Sequence, residues 1–271
     1  MNTYTQIEFQ QVAPEVSDIL LAALTEIGFE GFEEKENRLI AFIPTKDLNE
    51  ALLNEISATN NVSFAKSIIE ETNWNAVWES NFEPVVVDNF VGLRADFHTP
   101  MEGVEYEIVI TPKMSFGTGH HATTFMMLQQ MRDIDFINKT VFDFGTGTGV
   151  LAILAEKLGA ASIVAVDNDD WSITNTAENL TRNNCTRVVL EKAETIEGDK
   201  VYDIILANIN KNVILANLSA LAHRLALQGE LLLSGLLAED EADIVEALTA
   251  IGLKTVKLTS KNNWISLRVN H

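Results

Sequence analysis

The chain has 271 residues, 46% of them hydrophobic, enough to bury the cores of one large domain or two modest ones. Nineteen basic against thirty-nine acidic residues leave a formal charge of −20, which repels nucleic-acid phosphates and anionic lipid at long range and favours a basic partner. A single cysteine, Cys185, excludes an internal disulfide and suits the reducing cytoplasm, no apolar stretch approaches the ~20 residues that cross a bilayer, and the first residues read as no secretory signal.

Ile7 and Phe9 alternate with Gln6, Glu8 and Gln10, the period of a half-buried strand. Pro14 opens a helix in which Val16, Ile19, Leu20, Ala23, Leu24 and Ile27 share one face, closed by Gly28. Phe29 to Phe32 and Leu39 to Ile43 flank the polar Glu34-Lys35-Glu36-Asn37 as a hairpin. Pro44-Thr45 then starts a helix with Leu48, Ala51, Leu52 and Ile56 inward, and Val62 to Ile69 supplies a last strand. This order is the split βαβ pattern of ferredoxin-like domains, predicted for residues 1–70. RNA-recognition modules share that order, but the basic, aromatic strands they use are missing, and residues 1–72 hold thirteen acids against four bases. Such a module either docks a cationic protein or is purely structural.

Trp74, Val77, Trp78 and Phe82 then mark one face of a short helix, which reads as a semi-rigid linker over residues 71–83. Two apolar runs, Val85 to Phe97 and Tyr106 to Ile110, frame a turn at Pro100-Met101-Glu102-Gly103 and predict a hairpin at the start of a domain spanning 84–271. Next comes Met114-Ser115-Phe116-Gly117-Thr118-Gly119-His120-His121-Ala122-Thr123-Thr124, a glycine-hydroxyl-histidine loop running into a helix. Loops so rich in small and polar groups seldom serve only to connect.

The chain is organised around Val141-Phe142-Asp143-Phe144-Gly145-Thr146-Gly147-Thr148-Gly149-Val150-Leu151, a strand, tight turn and helix in which glycine lets backbone approach a nucleotide-like ligand. Val150 stands where a dinucleotide turn needs its third glycine, so the pattern is D-x-G-x-G-x-G instead. A second apolar strand, Ser162 to Asp167, closes on an acid about twenty residues farther on, where a carboxylate accepts ribose hydroxyls. Each acid also has a plainer reading: Asp143 as a partner of loop amides, Asp167 as the cap of a helix from Trp171. Strands at 141–144, 162–167, 187–191, 201–207 and 230–234 alternate with helices near 150–158, 171–183, 212–225 and 239–250, the order of a doubly wound α/β domain. Two strands, 253–259 and 263–269, end the chain. Ser260-Lys261-Asn262 is too short for a parallel crossover, so the last strand runs antiparallel to its neighbour.

The glycine motif resembles the first motif of Rossmann-like S-adenosylmethionine-dependent methyltransferases. Nearly the whole chain resembles one family among them, the bacterial methyltransferases of ribosomal protein L11: the acidic first domain, Asn73-Trp74, FGTGHHATT, DFGTGTGVLAI, VAVDND, the strand ending at Asn208, and Ser234-Gly235-Leu236. The resemblance implies that S-adenosylmethionine is held by Thr124, Asp143, Gly145, Gly147, Asp167 and Asn208, with no metal, and that His121 helps to position a closing loop. His120 and Ala122 depart from the threonine and proline usual in the family. Methyltransferases acting on planar amides commonly carry Asn-Pro-Pro-aromatic where this chain has Asn208-Ile209-Asn210-Lys211, so the absent ring points to an aliphatic amine acceptor. A plainer reading of Asn208 is the cap of the next helix. The implied substrate is a basic ribosomal protein of the L11 type, methylated on lysine side chains or the α-amine, with no direct nucleic-acid or membrane contact. A glutamine-amide or small-molecule methyltransferase and a non-catalytic cofactor-binding module remain as alternatives.

Overall fold

In the computed structural model, which describes residues 3–10, 12–35, 37–70, 82–113, 115–196 and 198–271, the chain divides into two units, Met1–Trp78 and Glu79–His271. The first follows from its alternations. Strands β1 (Thr3–Gln10), β2 (Gly31–Lys35), β3 (Arg38–Pro44) and β4 (Phe64–Glu70) pair antiparallel in the order β2-β3-β1-β4. Ile7 and Phe9 of β1 and Leu39, Ala41 and Ile43 of β3 form one core with Leu20 and Leu24 of α1 (Pro14–Glu26) and Leu53 of α2 (Glu50–Thr59). Left-handed Gly28 ends α1: its N–H reaches the Thr25 carbonyl, and the Phe29 N–H closes on Leu24 as the Phe29 ring enters the core.

The second helix starts later than its sequence suggests. Pro44-Thr45 leads into a short 3₁₀ turn (Thr45–Asp47), and α2 begins only after Asn49, whose side chain accepts the Ala51 and Leu52 N–H groups. The delay changes the phase, so that Leu53 is buried while Ala51 and Leu52 face solvent. Leu48 and Ile56 keep their inward packing. The linker helix expected over 71–83 falls outside the described residues, except for Phe82 and Glu83.

In the second unit, the hairpin expected at Pro100 is replaced by a different one. Asp88 and Asn89 both take positive φ, and the Phe90 N–H donates to the Val87 carbonyl, which folds β5 (Val85–Val87) back on β6 (Val91–Ala95). The Val85 to Phe97 run is therefore two strands. β7 (Tyr106–Ile110) lies parallel to β6, so the Pro100 segment is a crossover.

The main sheet has the order β10-β9-β8-β11-β12-β14-β13, built from β8 (Thr140–Phe144), β9 (Ser162–Asp167), β10 (Val188–Lys192), β11 (Tyr202–Asn208), β12 (Leu225–Leu237), β13 (Lys254–Lys261) and β14 (Trp264–Asn270). β8 to β12 are parallel neighbours, and β14 runs antiparallel between β12 and β13, the closing hairpin that the short connection requires. β12 is longer than the predicted 230–234, and the helix expected at 239–250 opens with a 3₁₀ turn before its α segment.

Alternate residues of the central strands serve opposite cores, which is why these strands read as continuous apolar runs. Val141, Ile204 and Leu206 pack with α3 (Ala122–Met131) and α4 (Val150–Lys157). Phe142, Ile205 and Ala207 pack with α6 (Lys211–Arg224) and α7 (Glu241–Ala250). α5 (Asp170–Arg182) runs between β9 and β10 in sequence. Among the described residues no helix is long and apolar enough to cross a membrane.

Candidate active site

The strand order reverses beside β8, and there the loops at the carboxyl ends of the strands part to leave a crevice. A cavity of about 510 Å³ lies at this point, within the range that holds a small ligand. Gly145, Gly147, Asp167, Asn208 and His121 all line it. Thr124 lines a small adjoining cavity with Gly145 and Asn208.

The turn after β8 is shaped by its glycines and held from outside. Gly145 and Gly147 take φ of +75° and +58°, and a Cβ on Gly147 would lie 2.5 Å from the Phe116 carbonyl oxygen. Two polar side chains of α5 hold the turn's carbonyls: Thr176 Oγ1 donates to Gly147 at 2.6 Å, and Asn179 Nδ2 donates to Thr148 at 2.8 Å. Thr148 in turn fastens the glycine-histidine loop, its N–H donating to the Phe116 carbonyl at 3.0 Å and its hydroxyl to that of Gly117 at 2.9 Å. The cofactor-type turn and the loop are thus one bonded structure.

Asp143 stands apart from the other predicted ligands. It is fully buried and does not line the cavity; Oδ2 accepts the Thr146 hydroxyl at 2.6 Å, the Ala152 N–H at the start of α4 also bonds the carboxyl, and among the described residues Oδ1 has no hydrogen-bond partner. Its role in the geometry is the plainer one, closing the turn onto α4. A carboxyl at that helix end leaves less room there for a ligand phosphate. Burial, opposed by these hydrogen bonds and aided by the nearby charge of Asp167, pushes its pKa up to about 7.

A pKa raised in the folded state means stability that is complete below the unfolded value near 4 and is lost as pH rises through about 7. Asp143→Asn, neutral at every pH, is expected to remove that slope. Between pH 5 and pH 8 its unfolding free energy should gain about 2–3 kcal/mol relative to wild type, read from urea denaturation. A difference that does not change with pH would mean that Asp143 ionises normally.

Asp167 ends β9 and faces the cavity. Oδ2 accepts the Gly147 N–H at 2.9 Å and Oδ1 the Asp169 N–H at 3.1 Å, leaving lone pairs on both oxygens for hydroxyl donors. It does not cap α5. That task falls to Asp169, whose Oδ2 accepts the Ser172 N–H at 2.9 Å. Asn208 likewise is not the cap of α6, because Asn210 accepts the Val213 N–H there. The Asn208 amide is 7% exposed, with Nδ2 donating to Thr124 Oγ1 at 3.2 Å and Oδ1 buried without a partner among the described residues. An unpaired buried acceptor costs about 1–3 kcal/mol, a cost that a ligand N–H would remove.

His121 caps α3. Its Nδ1 lies 2.8 Å from Thr123 Oγ1 and accepts the Thr123 N–H, and burial lowers its pKa. The ring packs edge-on against Trp264 with centroids 4.6 Å apart and lies 5.2 Å from Phe116. Phe116 and Trp264 also line the cavity. Rings from the loop and from β14, distant in sequence, thus stand at the cavity although the segment after Asn208 carries none. Gln130, fully buried on α3, ties this arrangement together by donating to Ser266 Oγ of β14 at 3.0 Å.

The charge of the lining completes the picture. It holds Asp167 and Glu194 and, among the described residues, no Lys or Arg. A phosphate-bearing ligand finds no countercharge here, whereas a cationic nucleoside with free ribose hydroxyls, beside an N–H donor at Asn208, fits the donors and acceptors present. Among the described residues no three His, Cys, Asp or Glu side chains gather to hold a metal ion.

Comparison with known proteins points the same way. The chain matches the family described as ribosomal protein L11 methyltransferase (PrmA) over residues 7–271. A ribosomal protein L11 methyltransferase of Porphyromonas gingivalis is 40% identical over 259 residues, covering 93% of this chain and 89% of the relative. One from Chlorobaculum tepidum is 37% identical over 281 residues, covering 98% and 97%. The crystal structure of a ribosomal protein L11 methylase from Lactobacillus delbrueckii subsp. bulgaricus superposes with a TM-score of 0.65 at 27% identity, over 70% of this chain and all of that one.

Proposed function

Because the chain belongs to the ribosomal protein L11 methyltransferase family, we propose that it transfers methyl groups from S-adenosylmethionine to lysine side chains, and to the N-terminal α-amine, of ribosomal protein L11. The observation that carries this reading is Asn208 Oδ1, an unpaired buried acceptor beside a cavity that has carboxylates and no cation. When bound, the cofactor supplies an already activated methyl group. The chain's own residues have to bind, orient and exclude water.

Asp167 accepts the ribose hydroxyls, and Gly145 and Gly147 bring backbone close enough to hold the nucleoside. Asn208 Oδ1 accepts an N–H of the substrate amine and fixes the direction of its lone pair, so that most of the rate comes from orientation. Thr124 holds the Asn208 amide from behind. His121, its Nδ1 already occupied by Thr123, acts with Phe116 and Trp264 as an apolar wall that keeps water from the amine. Such a wall favours the neutral amine, since desolvation disfavours the ammonium form.

The same reading divides the chain into a ferredoxin-like substrate-recognition domain over residues 1–70, a linker over 71–83 and a catalytic domain over 84–271. It places the enzyme in the cytoplasm with a basic protein substrate and no direct contact with nucleic acid or membrane.

Phe116 and Trp264 favour a second reading, a planar glutamine amide stacked between rings as acceptor. Incubating recombinant L11 with enzyme and S-adenosylmethionine, then mapping the product by tandem mass spectrometry, separates the two. Methyl groups are expected on lysine or the α-amine. Methyl groups on glutamine alone would establish the second reading, and an unmodified protein would overturn both.

A further inference from the structure

We propose that Ile209 is the positioning residue that sets the acceptor amine against the methyl donor, gripped for that purpose between two glycines; the inference rests on the methyl-transfer reading above. Ile209 follows Asn208 directly and lines the cavity. On one side its Cγ2 fills the space that a Cβ on Gly145 would take. On the other its backbone fills the space of a Cβ on Gly235, which would overlap the Ile209 carbonyl oxygen and stand 2.6 Å from the carbonyl carbon. Neither glycine can be replaced without moving Ile209.

The two glycines belong to different parts of the reaction geometry. Gly145 is the first residue of the turn that holds the nucleoside. Gly235 lies at φ +88° where the pairing of β12 with β14 shifts register between Ser234 and Leu236, an irregularity that brings strand backbone up against Ile209. The Ile209 N–H donates to the Ser234 carbonyl at 3.2 Å, fixing the residue to β12 as well. Ile209 thus meets the turn with its side chain and the strand irregularity with its backbone, with Asn208 joined to it covalently. Its branched Cβ leaves few χ1 choices, so the placement of Cγ2 against Gly145 transmits the position of the turn to the Asn208 amide. Valine carries the same Cγ2; alanine does not.

The test compares wild type, Ile209→Val and Ile209→Ala by single-turnover methyl transfer to L11 at saturating S-adenosylmethionine, with S-adenosylhomocysteine affinity measured by calorimetry on the same proteins. Misplacement of an acceptor by a fraction of an ångström to one ångström costs up to about 10²-fold in rate. Ile209→Ala is expected to slow transfer about tenfold or more while cofactor affinity changes less than about threefold, and Ile209→Val to stay within about twofold of wild type. Gly235→Ala, which displaces Ile209 instead of loosening it, is expected to slow transfer likewise; if it fails to fold, the valine and alanine pair decides alone. An alanine variant with wild-type rate, a loss that valine does not rescue, or a loss matched by an equal loss of cofactor affinity overturns the inference by itself. A wild type that transfers no methyl group to L11 overturns the functional reading and this inference with it.

Discussion

Asn208→Ala is expected to reduce single-turnover methyl transfer by about 10²- to 10³-fold, the loss typical of removing one preorganised polar group from a reacting centre. The side chain supplies an acceptor oxygen that has no partner among the described residues. Cofactor affinity should fall by less than about tenfold, because the proposed function has Asp167 and the glycine turn hold the nucleoside. Stability is expected to change little, since truncation deletes an unsatisfied atom along with one hydrogen bond of 3.2 Å to Thr124. Stopped-flow or quench-flow transfer, calorimetric titration of S-adenosylhomocysteine and a urea midpoint on the same variant separate the three effects. Retention of the wild-type rate would remove Asn208 from the acceptor site.

What could be read in advance was what depends on short spans of chain. The glycine turn, the acid at the end of β9 and the asparagine at the end of β11 each sit at a strand terminus that apolar runs announce, and the fold then brings strand ends together at one edge. The parts that were not legible depend on groups far apart in sequence. The inner face of α5 is largely polar, with Asn175, Thr176 and Asn179 all fully buried, because Thr176 and Asn179 hold turn carbonyls while Leu180 of the same face joins the core. Nothing in a helical period distinguishes that from a solvated face. The aromatic wall joins Phe116 to Trp264 across most of the catalytic unit, and the motif after Asn208 gives no sign of it. Asp143 lies inside the motif, yet its carboxylate bonds the Thr146 hydroxyl of the turn and does not line the cavity. The Asp88-Asn89 turn was within reach of a local reading, since Asp and Asn tolerate positive φ, but the unbroken apolar run around it masked the reversal.

Removing residues 1–72 is expected to lower kcat/KM for intact L11 by roughly 10²-fold or more while leaving cofactor affinity within about threefold of the full chain. Among the described residues the catalytic unit has its own two cores, made of residues from Phe82 onward. The first unit carries charge, thirteen acids against four bases over residues 1–72. Two of its four bases are already engaged, Arg38 with Glu8 at 3.3 Å and Lys66 with Glu50, and the excess of acids leaves a net negative field. Each exposed pair is worth little to stability, which makes fold maintenance a weak reason for so many acids. A field of that sign attracts a basic protein and weakens with salt over a Debye length of about 8–10 Å. KM for L11 should therefore rise with ionic strength in the full chain, and the truncated enzyme should lose that dependence together with most of its efficiency. A short lysine peptide, which needs no docking, should be methylated equally by both. If the truncated enzyme modifies intact L11 at the full rate with the same salt dependence, the acids of the first unit serve solubility and substrate capture lies in the catalytic unit.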